Sequence, residues 1–234
     1  MRSSFFIIIF GLTLTTAAAY AQDVNQMDAS GERHGLWEKY YPESNQLRFT
    51  GEFHHGKERG KFKFYCQTCG DQPSAIIDYG RGNDIAKVKY LDLKGKAISE
   101  GKMKHQKRMG EWVYYHKDSD RIMSRENYSD GVLHGMTTTY YPNGKITEET
   151  EYKLGIKDGK NNFYSPQGVL MRKLLYQDDK LHGPAFYYDA HGQLTIEGAY
   201  KAGRKDGLWK YYENGKAVLE ETYPIKYDDK PQAE

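Results

Sequence analysis

Apolar and polar positions alternate along most of this chain, in short bursts broken by turns. After Gly207, the aromatics Trp209 and Tyr211 stand two and four places on, with Lys210 between them. The same offsets from other glycines give Trp37, Phe62 with Phe64, Trp112 with Tyr114, Phe163 and Tyr187, and the residue between is usually polar, as at Glu38, Lys63, Thr138 and Asn162. Residues two apart on a strand share a face, so the period is that of a half-buried β-strand and not the 3.6 of a helix. A second run follows each first one, with Ile146, Thr150 and Tyr152, then Leu170, Leu174 and Tyr176, then Leu194, Ile196 and Tyr200 on one side. Between paired runs lie turn signals such as Tyr141-Pro142-Asn143-Gly144, in which proline fixes one φ and Asn-Gly tolerates positive φ. The predicted element is therefore a β-hairpin.

The hairpins repeat. Gly35, Gly60, Gly110, Gly135, Gly159, Gly183 and Gly207 recur every 24 to 26 residues once Asp84 is counted in their series. Five places after each glycine comes Tyr40, Tyr65, Tyr115, Tyr140, Tyr164, Tyr188 or Tyr212. Eight such units fill residues 31–223, so function belongs to an array in which each unit contacts its neighbours. The expected fold is all-β, an elongated twisted antiparallel meander of tandem hairpins, sixteen strands on the order of 75 Å long at ~4.8 Å per strand. Residues 1–21 read as a secretory signal, with Arg2, an apolar run from Phe5 to Leu14 and the cleavage form Ala19-Tyr20-Ala21. Residues 22–30 form a polar lead and 224–234 a polar tail. A single-layer ribbon cannot bury both faces, which makes Trp37, Trp112 and Trp209 candidates for an accessible aromatic binding surface.

Composition narrows the function. The chain of 234 residues carries a formal charge of +2, or +1 once the signal with Arg2 is gone, and its charges are interleaved by sign. That excludes a general nucleic-acid binder, which needs a clustered basic footprint. No later segment reaches the roughly 20 apolar residues of a membrane span. Gln22 and Asp23, not a cysteine, stand directly after the cleavage site, so the expected product is periplasmic or secreted without a lipid anchor. His34, His134 and His182 occupy a slot that holds Arg59, Met109, Asp158 or Asp206 in other units, and His54-His55 lies in a turn, so no metal ligand is assigned. No Gly-x-Ser-x-Gly or His-Glu-x-x-His occurs, and no catalytic residue or cofactor is expected. Cys66 and Cys69 flank a hairpin turn, where an exported chain would form a turn-stapling disulfide; a redox-active pair or half a zinc site are the alternatives.

The units resemble MORN repeats of the bacterial variant, on His34-Gly35-Leu36-Trp37-Glu38-Lys39-Tyr40-Tyr41, on His134-Gly135 through Gly144, and on Asp158-Gly159, His182-Gly183 and Asp206-Gly207 with the turns that follow them. The resemblance implies a hairpin ribbon that contacts proteins or organises assemblies at membranes, without catalytic chemistry in the repeats. Some bacterial members are named as antitoxin components, and with an export signal the matching expectation is an immunity-like role. The expected function is a non-enzymatic scaffold with a protein partner. A glycan- or lipid-headgroup-binding module of the cell envelope is the rival, and a thiol-redox protein using Cys66 and Cys69 the next.

Overall fold

The computed structural model describes residues 23–80 and 84–224. The signal segment, Gly82 with its two neighbours, and residues 225–234 of the tail lie outside the described residues.

Every regular element described is a strand, and the strands fall into the eight expected hairpins. After a short β1 (Gln26–Met27) come β2 (Arg33–Tyr40) with β3 (Leu47–His54), β4 (Lys57–Phe64) with β5 (Ala75–Asp78), β6 (Ile85–Leu91) with β7 (Ala97–Lys104), and β8 (Lys107–Tyr115) with β9 (Ile122–Ser129). The fifth unit is β10 (Val132–Leu133), β11 (Gly135–Tyr140) and β12 (Ile146–Lys153), and the sixth β13 (Ile156–Tyr164) with β14 (Leu170–Gln177). The seventh is β15 (Lys180–Leu181), β16 (Gly183–Tyr188) and β17 (Leu194–Lys201), and the eighth β18 (Arg204–Glu213) with β19 (Lys216–Tyr223). All pairings are antiparallel and follow chain order from β1 to β19, which makes one open sheet. The 19 strands exceed the sixteen expected for two reasons. His134 and His182 each interrupt a first strand, and β1 adds a piece before the array.

The two kinds of contact in the array differ. Within most hairpins the ladder is regular up to a shift at the tyrosine five places after the glycine, as between Tyr114 and Tyr115; β4–β5 has no shift and β6–β7 shifts at Leu91. Between units it is broken. Glu100 pairs with Val113 and Lys102 with Met109, so Gly101 alone faces Gly110, Glu111 and Trp112. Gly51 faces Gly60, Lys61 and Phe62 in the same way, and Gly198 faces Gly207, Leu208 and Trp209. Such a bulge bends its strand and needs a residue at positive φ, which Gly110 supplies at +61°. At the one boundary where Asp84 replaces the glycine, β5 and β6 pair without a shift, from Ala75–Tyr90 to Asp78–Lys87.

The polar lead is ordered as a cap. Asn25 donates its N–H to the Leu36 carbonyl, 2.8 Å, and its side chain accepts from Glu38 N, 2.9 Å. Trp37 Nε1 donates to the Gln26 carbonyl, 3.0 Å, as Trp112 does to Lys102 and Trp209 to Ala199 at 2.9 and 3.1 Å. β1 thus stands where the second strand of a preceding unit would stand and covers the edge of β2.

Candidate functional site

The bulge decides where the large side chains go. With three residues set against one, the aromatic two places after the repeat glycine is pushed across the single residue opposite. At Gly51, Gly101 and Gly198 an added Cβ would lie 2.4, 2.4 and 2.3 Å from the rings of Phe62, Trp112 and Trp209. The rings lie flat on bare backbone and are sealed there, with Phe62, Trp112 and Trp209 all among the most buried side chains.

Cations of the chain close the same face from outside. Arg108, two residues before Gly110, sits 4.7 Å from the Trp112 ring, 5.8 Å from Tyr114 and 5.4 Å from Tyr128. Lys205 lies over Trp209, Tyr211 and Tyr223 at 4.4, 5.4 and 4.7 Å, and Arg33 over Trp37 and Phe53 at 5.2 and 5.0 Å. Each aliphatic stem covers apolar ring surface while its head is held by the rings, an interaction of about 0.5–2 kcal/mol per site. The expectation of an accessible tryptophan face is therefore corrected. Trp112 and Trp209 are buried, Trp37 is half-buried, and their own units supply the covering layer.

The repeat tyrosines sew neighbouring units together on the opposite face. Tyr164 Oη donates to Glu149 at 2.7 Å, Tyr212 Oη to Glu197 at 2.6 Å, and Tyr115 Oη to Glu100. Burial first and the Glu100 carboxylate second push the Tyr115 phenol up to about 12. Lys89 first and Tyr115 second hold Glu100 below the usual glutamate range. One residue further on, Tyr41 and Tyr141 donate to the carbonyls of Tyr65 and Tyr164, 2.8 and 2.9 Å, which ties successive turns along the edge.

Three other features stand outside these rungs. The sulfurs of Cys66 and Cys69 are at bonding distance across the turn after β4, with Cα atoms 5.1 Å apart. Val132, Leu154 and Ile156 are exposed, 42, 70 and 36 %, at the turns joining the fourth, fifth and sixth units. Gly155 donates its N–H to the Leu133 carbonyl at 2.8 Å, which lays one turn against the other. Asp28, His34 and His55 converge at the capped end, with donor atoms within 4.8 Å of one another. Sequence reading assigned none of these histidines, because residues 6 and 21 apart, on one strand and two separate turns, form no local motif; only the pairing of β1, β2 and β3 brings them together.

Fold and contacts define a class: an open β-hairpin repeat array whose side chains are spent on joining unit to unit. Within it, residues 133–154 and 181–202 match the family model of the MORN repeat variant. These segments coincide with the fifth and seventh hairpins, and the remaining six units share their strand–turn–strand geometry. No curated protein matches the chain.

Proposed function

We propose that the chain is a non-enzymatic scaffold that holds another protein along the turn edge of its sheet. The observation that carries this reading is the grouping of Val132, Leu154 and Ile156. In other units the turn residue matching Leu154 is His55, His105, Asp130, Asp178 or Ala202. Leu154 instead places an apolar side chain in water at a φ of +52°, a conformation that disfavours any residue with a Cβ. A partner surface that covers this edge removes the apolar exposure. MORN repeats serve commonly as protein- or membrane-binding modules, which agrees with the reading. The rival glycan- or lipid-headgroup reading calls on exposed aromatics with interspersed lysines, and two of the three tryptophans, Trp112 and Trp209, are buried.

The proposed location is outside the cytoplasm. Its support is the signal pattern of residues 1–21 and the bonded cysteine pair, which an oxidising compartment preserves. An immunity-like role against an exported effector fits the same location.

The test is affinity capture from the native compartment, with the intact protein beside the double variant Leu154→Asp, Ile156→Lys. The expected result is a partner retained by the intact protein and lost by the variant, whose circular dichroism is unchanged. Equal retention by both overturns the edge assignment, and absence of any retained protein overturns the scaffold reading.

A further inference from the structure

Asp28 lies in the turn after β1, His34 in β2, and His55 in the turn between β3 and β4. His55 Nδ1 is 2.6 Å from Asp28 Oδ2. The other carboxylate oxygen, Oδ1, accepts from the backbone N–H of Ser30 and of Glu32, 2.9 and 3.0 Å, so the carboxylate is fixed in plane with Oδ2 turned to the histidines. His34 Nδ1 is buried and has no hydrogen-bond partner. In the fifth unit His134, in the same slot, has its Nδ1 3.4 Å from the Leu154 N–H. An orphaned ring nitrogen costs free energy, and beside an oriented carboxylate and a second imidazole the group that would satisfy it is a cation.

We propose that Asp28, His34 and His55 bind a zinc ion that fastens the capping strand to the first repeat. Two imidazole nitrogens and one carboxylate oxygen are a borderline donor set suited to zinc, whereas calcium and magnesium prefer oxygen alone. Binding replaces the proton shared by His55 Nδ1 and Asp28 Oδ2, with the ring proton carried on Nε2. Three protein ligands leave a tetrahedral ion one position for water or for a donor from outside the chain. The gain falls where the sheet is weakest. β1 pairs with β2 through only two residue pairs, Gln26–His34 and Met27–Arg33, and among the described residues only it and the neighbouring Asn25 cover that edge. A cross-link between residues 28 and 55 ties the cap to the far end of the first hairpin. At His105, 3.7 Å from Asp84, the same residue types meet without a third donor among the described residues.

The test uses the full chain, stripped with chelator and dialysed against zinc chloride, with bound metal counted by mass spectrometry and melting followed by circular dichroism. The expected result is one zinc per chain, a higher melting midpoint with zinc, and zinc-induced shifts in the ring resonances of His34 and His55 but not of His134 or His182. His34→Gln and His55→Gln each weaken binding by at least about 100-fold, the upper end of what loss of even an outer-shell partner causes. His182→Gln leaves binding unchanged. The His55 side chain is 60 % exposed, so its replacement leaves the fold intact and decides the matter if the His34 variant fails to fold. Uptake that survives His55→Gln, uptake that shifts His134 and His182 equally, or no uptake at micromolar free zinc overturns the assignment.

Discussion

Gly101 and Trp112 behave as one packing unit divided between two strands, because the ring occupies the space a Cβ would take, 2.4 Å away. Gly101→Ala forces the indole off its seat and is expected to destabilise by about 1–3 kcal/mol, the usual range for overpacking. Trp112→Ala empties the seat and is expected to lower stability by about 3–5 kcal/mol. The three atoms nearest that Cβ all belong to the Trp112 ring, so urea unfolding of the double variant should show the loss for Gly101→Ala shrinking in the Trp112→Ala background. Tyr115 and Glu100 form the matching unit on the other face, and theirs is visible in pH. The Tyr115 phenol is raised from 10.0 to about 12 in the folded chain. Its contribution is present below pH 10 and fades between about 10 and 12. Glu100 is held below its ordinary 4.5, so its contribution is present above that value and fades as the pH falls through the lowered one. The stability gap between the intact chain and Tyr115→Phe is expected to be widest from about pH 5 to 10 and to narrow on both sides, as read by unfolding midpoints across pH.

The hairpin was legible in the sequence, and the joint between hairpins was not. Alternation and Pro-Asn-Gly turns report local geometry, which each unit carries within its own 24 to 26 residues. A bulge belongs to two units at once. Its mark in the sequence is a second glycine, inside the second strand, at Gly51, Gly101 and Gly198; a strand-interior glycine signals close backbone approach. The buried tryptophans were misread for the same reason. Their covering cations, Arg33, Arg108 and Lys205, look like solvated charges until strand pairing, with a bulge at the last two, sets them over the rings. The joint makes its own prediction. Gly110 holds φ at +61° inside a bulge, and Gly110→Ala is expected to cost about 1–2 kcal/mol by the left-handed penalty. At the regular β5–β6 boundary Asp84→Gly introduces the repeat glycine without a bulge to occupy, and its thermal midpoint is expected to stay at or below that of the intact chain.

Across the whole molecule the joints line up into one row that fixes the order of the units. Following the pairings, Asn161 faces Leu174, Leu174 meets Ala185 at the next joint, Ala185 faces Gly198, and the Trp209 ring lies on Gly198. Large side chains alternate with small ones from unit to unit: Gly51 receives Phe62, Gly101 receives Trp112, Thr150 receives Asn161 through a 2.8 Å hydrogen bond, and Leu174 is accommodated by Ala185. The units share a backbone and differ in this lock, so they are not freely interchangeable, as a plain repeat would be. Two deletions of 24 residues distinguish the cases. Removing 159–182 joins the fifth unit to the seventh and sets Thr150 against Ala185, two small residues that leave room and no clash. Removing 183–206 sets Leu174 beneath Trp209, where even a Cβ comes within 2.3 Å of the ring in the intact protein. Both shortened chains keep the same number of hairpins but lose different ones, so the response to a substitution at the new joint is what isolates the joint. The second is expected to be the less stable by about 1–3 kcal/mol, with tryptophan emission shifted to the red as the indole is expelled. Leu174→Gly in that shortened chain recreates the glycine–tryptophan seat and is expected to recover both midpoint and emission. No recovery on Leu174→Gly would show that backbone pairing alone holds successive units in place.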